Sequence, residues 1–143
     1  MSHLMLVLTV LRMHCHGITI QLHRLWLDTG RLGYHSSTTM YTSSPAKCIE
    51  SANEISRLQQ LFRQRHGFRR LQPLSIHPML ASSLINVQDL VGSASQSKEA
   101  KQVRQNILRS IQGFGEIAET MNGGSRALEI VMAAQRDWQG RHP

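Results

Sequence analysis

Residues 45–91 read PAKCIESANEISRLQQLFRQRHGFRRLQPLSIHPMLASSLINVQDLV, and this stretch decides the fold. It holds two helical patterns joined by a short arginine-rich turn. In the first, Cys48, Ala52, Ile55, Gln59 and Phe62 fall in one narrow sector of a helical wheel, flanked by Leu58. Glu50, Glu54, Arg57 and Gln64 take the opposite side, and the two acids precede Arg57 at helical spacing, which supports it modestly. Ser44 is placed to cap this helix and Pro45 suits its first position, where no amide hydrogen is needed. Gly67 ends it. In the second pattern Ile76, Leu80, Ser83, Leu84, Val87 and Val91 form one stripe, with Met79 and Leu90 at its edge. Ala81, Ser82 and Ser83 are small enough to let a neighbouring helix come close. Pro78 sets a choice: the helix starts there, or it starts nearer Pro73 and kinks.

Outward from this pair, residues 1–27 form an apolar helix in which Leu4, Val7, Leu8, Leu11, Cys15, Ile18, Leu22 and Leu25 recur at helical spacing as the buried stripe. Gly17 is its weak point. The run Leu4–Leu11 is shorter than the roughly 20 residues that span a bilayer, and Arg12, His14 and His16 interrupt it. Residues 28–44 read as an exposed Ser/Thr-rich loop after Gly30 and Gly33. Residues 92–97 are a polar linker whose Ser97 can cap the next helix. Residues 98–139 read as a second helix pair. Ala100, Val103, Ile107, Phe114 and Ile117 or Ala118 line one side, with Leu108, Ile111 and Met121 adjoining. Lys98, Lys101, Arg104, Gln105 and Arg109 line the other. Asn122-Gly123-Gly124 is the stop, and Ser125 starts the last helix with Leu128, Val131, Ala134 and Trp138 in phase. No segment alternates at period two. The expected class is all-α, about five helices in a single partial domain over residues 1–143.

The aromatic fraction of 5% is low for a chain of this length, which points to apolar faces meant for partners or for sequence outside this chain. The net charge of +7 and a sequence pI of about 10.5 suit an acidic partner. Arg63, Arg65, Arg69 and Arg70 around the turn suggest phosphate contact. Cations at a helix C-terminus, where they stabilise the dipole, explain them better. Two distant cysteines, Cys15 and Cys48, exclude a disulfide framework. His14-Cys15-His16 cannot converge on one ion from a helix, whose successive side chains diverge by about 100 degrees; His16 with His23 is an incomplete site. Cys48 on the apolar face is a packing residue, its nearest histidine is His35 in the loop, and Glu116 with Glu119 reads as a solvated pair. No catalytic, cofactor-binding or metal residue is assigned, and no enzymatic activity is expected.

Four motifs in order carry a resemblance. Residues 17–27, GITIQLHRLWL, are similar to an apolar helix ending in a Leu-His-Arg-Pro-Phe-like run, with Leu22, His23 and Arg24 matching and Leu25-Trp26 departing from it. Lys47–Ile55 resembles a Cys-x-x-Ala-Ala-x-x-Ile segment. Gly67-Phe68-Arg69-Arg70 with the following proline resembles a Gly-Leu-Arg-Arg-x-Pro run, and the last two helices with Trp138 fit the order. Together they resemble the C-terminal part of the middle homology regulatory region of fungal binuclear zinc-cluster transcription factors. The resemblance implies an all-helical regulatory segment that controls RNA polymerase II transcription in the nucleus through intramolecular or partner packing. Its partners would be the rest of a larger factor or other regulatory proteins, with no membrane. Two cysteines cannot build the six-cysteine cluster, so zinc and specific DNA contact are expected only in a domain outside this chain, which itself needs no cofactor. Two rivals remain: an independent basic helical module that binds nucleic acid, and a membrane-associated protein anchored by residues 3–27.

Overall fold

The computed structural model describes residues 3–31, 38–71, 73–92 and 97–141, with the side chains at 25–31, 38–44, 69, 91, 92, 138, 139 and 141 left undescribed. Five helices follow in order: α1 (His3–Arg31), α2 (Thr38–His66), α3 (Ile76–Gly92), α4 (Lys98–Ala118) and α5 (Asn122–Arg141), with short 3-10 turns at Phe68–Arg70 and Pro73–Ser75. No strand occurs among the described residues, so the fold is all-α.

α3 is the central helix and touches each of the other four. Its composition explains this. Met79, Ala81, Ser82, Ser83, Ile85, Asn86 and Val87 are all buried, so α3 is covered on nearly every side. The Ser82 and Ser83 hydroxyls turn back to donate to the Met79 carbonyl at 2.9 and 2.8 Å, which satisfies them inside the core. Small residues at 81–83 do permit close neighbours, as their size suggests. Leu84, however, is only half-buried, and Val87 belongs to a second cluster with Val103 and Ile107 of α4. Of the stripe expected on this helix, Ser83 and Val87 are buried and Ile76, Leu80 and Leu84 are half-buried, while Met79, Ala81 and Ile85 make the contact with the main cluster; the Val91 side chain lies outside the described residues.

The chain crosses Pro78 without a break. After the turn at Pro73–Ser75, α3 begins at Ile76, so Pro78 falls in its first turn. Amides there have no partner within the helix, and the missing N–H costs nothing.

α1 and α2 form an antiparallel pair. Arg12 donates to Glu54 at 3.1 Å, His16 Nδ1 and Ser51 Oγ share a hydrogen bond of 3.3 Å, and Cys48 Sγ lies 3.9 Å from the Ile20 carbonyl. As the number rises on one helix it falls on the other. α2 and α4 run parallel instead: Asn106 donates to Asn53 at 3.2 Å, and ten residues further along both helices Arg63 donates to Glu116.

The α2 face is as its spacing indicates: Cys48, Ala52, Ile55, Leu58, Gln59 and Phe62 are buried. So is the α4 face, through Ala100, Val103, Ile107, Phe114 and Ile117, while Leu108 is exposed. Ser97 caps α4 by accepting from the Ala100 amide at 3.1 Å. In α5, Ala127 and Val131 are buried and Leu128 and Ala134 are half-buried; the Trp138 side chain lies outside the described residues.

Three boundaries differ from the sequence reading. The loop expected over 28–44 shrinks, because α1 runs to Arg31 and α2 starts at Thr38, enclosing Ser44 and Pro45. Pro45 lies inside α2, where it removes one ladder hydrogen bond and its ring crowds the preceding turn at a cost of about 3 kcal/mol, while one glycine costs only about 1 kcal/mol. Asn122-Gly123-Gly124 opens α5 and does not end α4; the turn lies at 119–121. A Cβ at Gly124 would fall 2.6 Å from the Ala118 amide nitrogen, so the glycine lets α5 cross the end of α4. Gly67 does end α2: its φ of 70° is open to glycine at little cost.

The fourth difference is the largest. α1 buries Val10, Met13, Gly17 and Ile20. The stripe expected to be inside points outward: Leu4, Val7, Leu8, Leu11, Ile18 and Leu22 are 42% to 64% exposed, and Cys15 is exposed. Both faces of α1 are apolar, so hydrophobic periodicity alone does not choose between them. Size chooses. A Cβ on residue 17 would meet Pro78 Cβ at 2.9 Å, so α1 approaches α3 through the face that carries glycine.

Candidate functional site

A polar cleft lies between α2 and α4. Asn53, Arg57, Gln60, Leu61 and Gln64 line it from α2, and Gln102, Asn106 and Arg109 from α4, around a volume of about 480 Å³. The spacing follows from helix geometry: 53, 57, 60, 61 and 64 share one face, as do 102, 106 and 109. Gln102 donates to Asn106 at 3.1 Å and Asn106 to Asn53 at 3.2 Å, a relay of amides that ties the helices together at its floor.

Glu54 stands beside this cleft and governs its charge. Arg57 reaches it with two hydrogen bonds, at 3.0 and 2.5 Å, and Arg12 adds a third from α1. The Arg57 hydrogen bond holds the Glu54 carboxyl below its ordinary value of about 4.5. Folding therefore favours the ionised form. That stability is fully present above the ordinary value and is lost as pH falls through the depressed one. In Glu54→Gln, urea unfolding should show a flatter acid limb below about pH 5, with a loss at neutral pH of no more than about 1 kcal/mol. An unchanged acid limb would refute this role.

The cleft offers guanidinium and amide groups and, among its described lining residues, no acid, histidine or thiol. It can hold a carboxylate, a phosphate or a peptide backbone. It carries no group suited to proton transfer or nucleophilic attack near neutral pH.

The residues weighed from the sequence are dispersed. Cys48 is buried, and burial pushes its thiol above the usual range against the pull of Arg24, which makes it a poor nucleophile. His35 lies outside the described residues. Of the turn arginines, Arg63 pairs with Glu116 across the α2–α4 contact, while Arg65 and Arg70 are exposed at the end of α2 and in the turn that follows; the Arg69 side chain is outside the described residues. Glu116 is thus a helix-to-helix tie and not merely a solvated partner of Glu119. Glu50 is drawn to Lys47 at 3.9 Å, leaving Arg57 to Glu54. Among the described residues no group of three or more metal-ligating side chains converges.

The sequence reading missed the cleft, because its amides and arginines stand on two separate helices that only the fold brings side by side. It also placed the outward α1 face inside. The stretch His3–Arg24 is, by length and composition, long and apolar enough to cross a membrane. The short run Leu4–Leu11 understated this, because Ile18, Ile20 and Leu22 extend the apolar character beyond Arg12. No protein-family model matches the chain, and no match was found among curated proteins or solved structures.

Proposed function

We propose that the chain is a regulatory helical segment of a fungal transcription factor of the zinc-cluster class, acting in the nucleus on RNA polymerase II transcription by packing and not by chemistry. The observation that best supports a packing role is the outward apolar face of α1, backed by a bundle whose titratable groups are scattered or tied into ion pairs. An exposed apolar patch on a helical domain marks an interaction surface. The order of the four motifs supports the transcription-factor assignment. DNA reading and zinc belong, in this proposal, to a domain outside this chain. The α2–α4 cleft fits the same role as a polar receptor for a carboxylate or backbone group of a partner segment.

A fusion of the chain to an unrelated DNA-binding domain, assayed on a reporter gene, tests this. The fusion should change reporter output relative to the DNA-binding domain alone, and Phe62→Ala, which removes core packing, should abolish the change. Equal output from the fusion and the bare domain would refute the regulatory reading.

One observation favours a second reading. The length and apolar character of His3–Arg24 suit membrane association. Met13, Gly17 and Ile20 are committed to the core, however, so α1 in this fold offers a membrane only one face. Cell fractionation with and without residues 3–27 separates the two readings: retention in the membrane fraction only with that segment present favours the second.

A further inference from the structure

The outward face of α1 has a spacing that the packing of this chain does not use. Leu4, Leu8, Leu11, Cys15, Ile18 and Leu22 follow one another at steps of 4, 3, 4, 3 and 4 residues. This is the alternation that keeps one seam of a helix facing another helix over several turns. All six positions are exposed, the five aliphatic ones by 44% to 64%. The residues that serve the core, Leu6, Val10, Met13, Gly17 and Ile20, occupy the other side of the same helix. α1 therefore carries two seams: one spent on α2 and α3, and one unspent.

We propose that a second copy of this chain covers the unspent seam, so that the protein forms a two-fold dimer through α1 against α1. Three observations select this occupant. First, a two-fold axis sets the same six positions of each copy against one another, and their regular 3–4 steps let the two seams stay in contact over several turns. Second, the exposed parts of these side chains with Met5 and Val7 come to on the order of 600 Å² per chain; two such faces exceed the about 1,000 Å² in total that a specific interface needs. Third, the flanks do not repel. The positions bordering the seam are His3, Met5, Val7, Arg12, His14, Gln21 and His23, with no carboxylate. Their one fixed charge, Arg12, meets Glu54 of its own chain at 3.1 Å, a carboxylate that it shares with Arg57. The dimer goes beyond the transcriptional reading and stands or falls without it.

Sedimentation equilibrium of the full chain tests it. The mass should rise with concentration from the 16.2 kDa of one chain to twice that value and no further. Leu11→Glu combined with Ile18→Glu should weaken association at least tenfold. Both sites are exposed, so the helical circular dichroism of the dilute protein should not change. Leu8→Gln with Ile18→Gln, a milder pair, should shift the equilibrium in the same direction. A wild-type chain that stays at 16.2 kDa at high concentration overturns the proposal. So does a double variant that is folded and still dimeric. A chain that is monomeric in buffer but sediments with phosphatidylserine-containing vesicles also overturns it, in favour of a lipid occupant.

Discussion

Replacing Phe62 by alanine should cost about 3–5 kcal/mol, enough to leave much of the chain unfolded at ambient temperature. The chain has three phenylalanines, Phe62, Phe68 and Phe114, and all three lie buried in one cluster. Two tryptophans and two tyrosines complete its aromatic set, so little else can fill a hole of that size. Phe62 sits on α2 near the point where α2, the Phe68 turn and α4 meet. Its ring lies 5.2 Å from that of His66 and tilts 55° to it, an edge-leaning contact that adds modestly to the burial. Phe68 makes the neighbouring seat rigid. A Cβ on Gly113 would fall 3.0 Å from the Phe68 ring, so the turn is pressed into the α4 surface and cannot readily move to fill a cavity. Urea unfolding followed by circular dichroism measures the loss. A cost under about 1 kcal/mol would mean that this cluster does not organise the bundle.

How far these features could be read in the sequence depends on contrast between faces. α2 and α4 were legible because each has one apolar sector and one charged one. Cys48, Ala52, Ile55 and Phe62 against Glu50, Arg57 and Gln64 leave one orientation to choose, as do Val103, Ile107 and Phe114 against Lys98, Lys101 and Arg104. The Ser97 cap was legible too, whereas Ser44, expected to cap α2, lies inside that helix. α1 was not legible because its two sides differ little in hydropathy; Leu4, Val7, Leu8, Leu11, Ile18 and Leu22 lie on one, and Leu6, Val10, Met13 and Ile20 on the other. The deciding property was the absence of a side chain at Gly17, where Pro78 of α3 comes within contact. That contact is sixty residues away in the chain, and no local pattern reports it. The same holds for Gly123 and Gly124, whose place inside α5 follows from the crossing of α4. The cleft was illegible for a related reason. Its two amide rows are each ordinary on their own helix and become a site only through the parallel alignment of α2 with α4, which the Asn53–Asn106 and Arg63–Glu116 ties fix.

The second large effect follows from the orientation of α1. Ile18 and Ile20 are the same residue type two positions apart on one helix. Ile20 has no exposed surface and packs in the main cluster beside Cys48, whose thiol lies against the Ile20 carbonyl. Ile18 is 59% exposed on the outward seam. Glutamate at position 20 would place a carboxylate among apolar groups without a partner, and should cost at least about 4 kcal/mol. Glutamate at position 18 would stand in water, and should change the stability of the monomer by no more than about 0.5 kcal/mol. The contrast depends on which face of α1 is inside and not on composition or helix propensity, which the two substitutions share.

That pair is the most direct measurement of the claim from which the interaction surface, the packing function and the dimer all follow. Chemical unfolding of Ile18→Glu and Ile20→Glu should be compared with the unchanged chain at a concentration low enough to keep it monomeric. The account predicts an unfolding midpoint close to wild type for Ile18→Glu, and an absent or strongly lowered transition for Ile20→Glu. A stable Ile20→Glu beside an unfolded Ile18→Glu would show that the leucine-bearing seam is the core face, and would contradict the account.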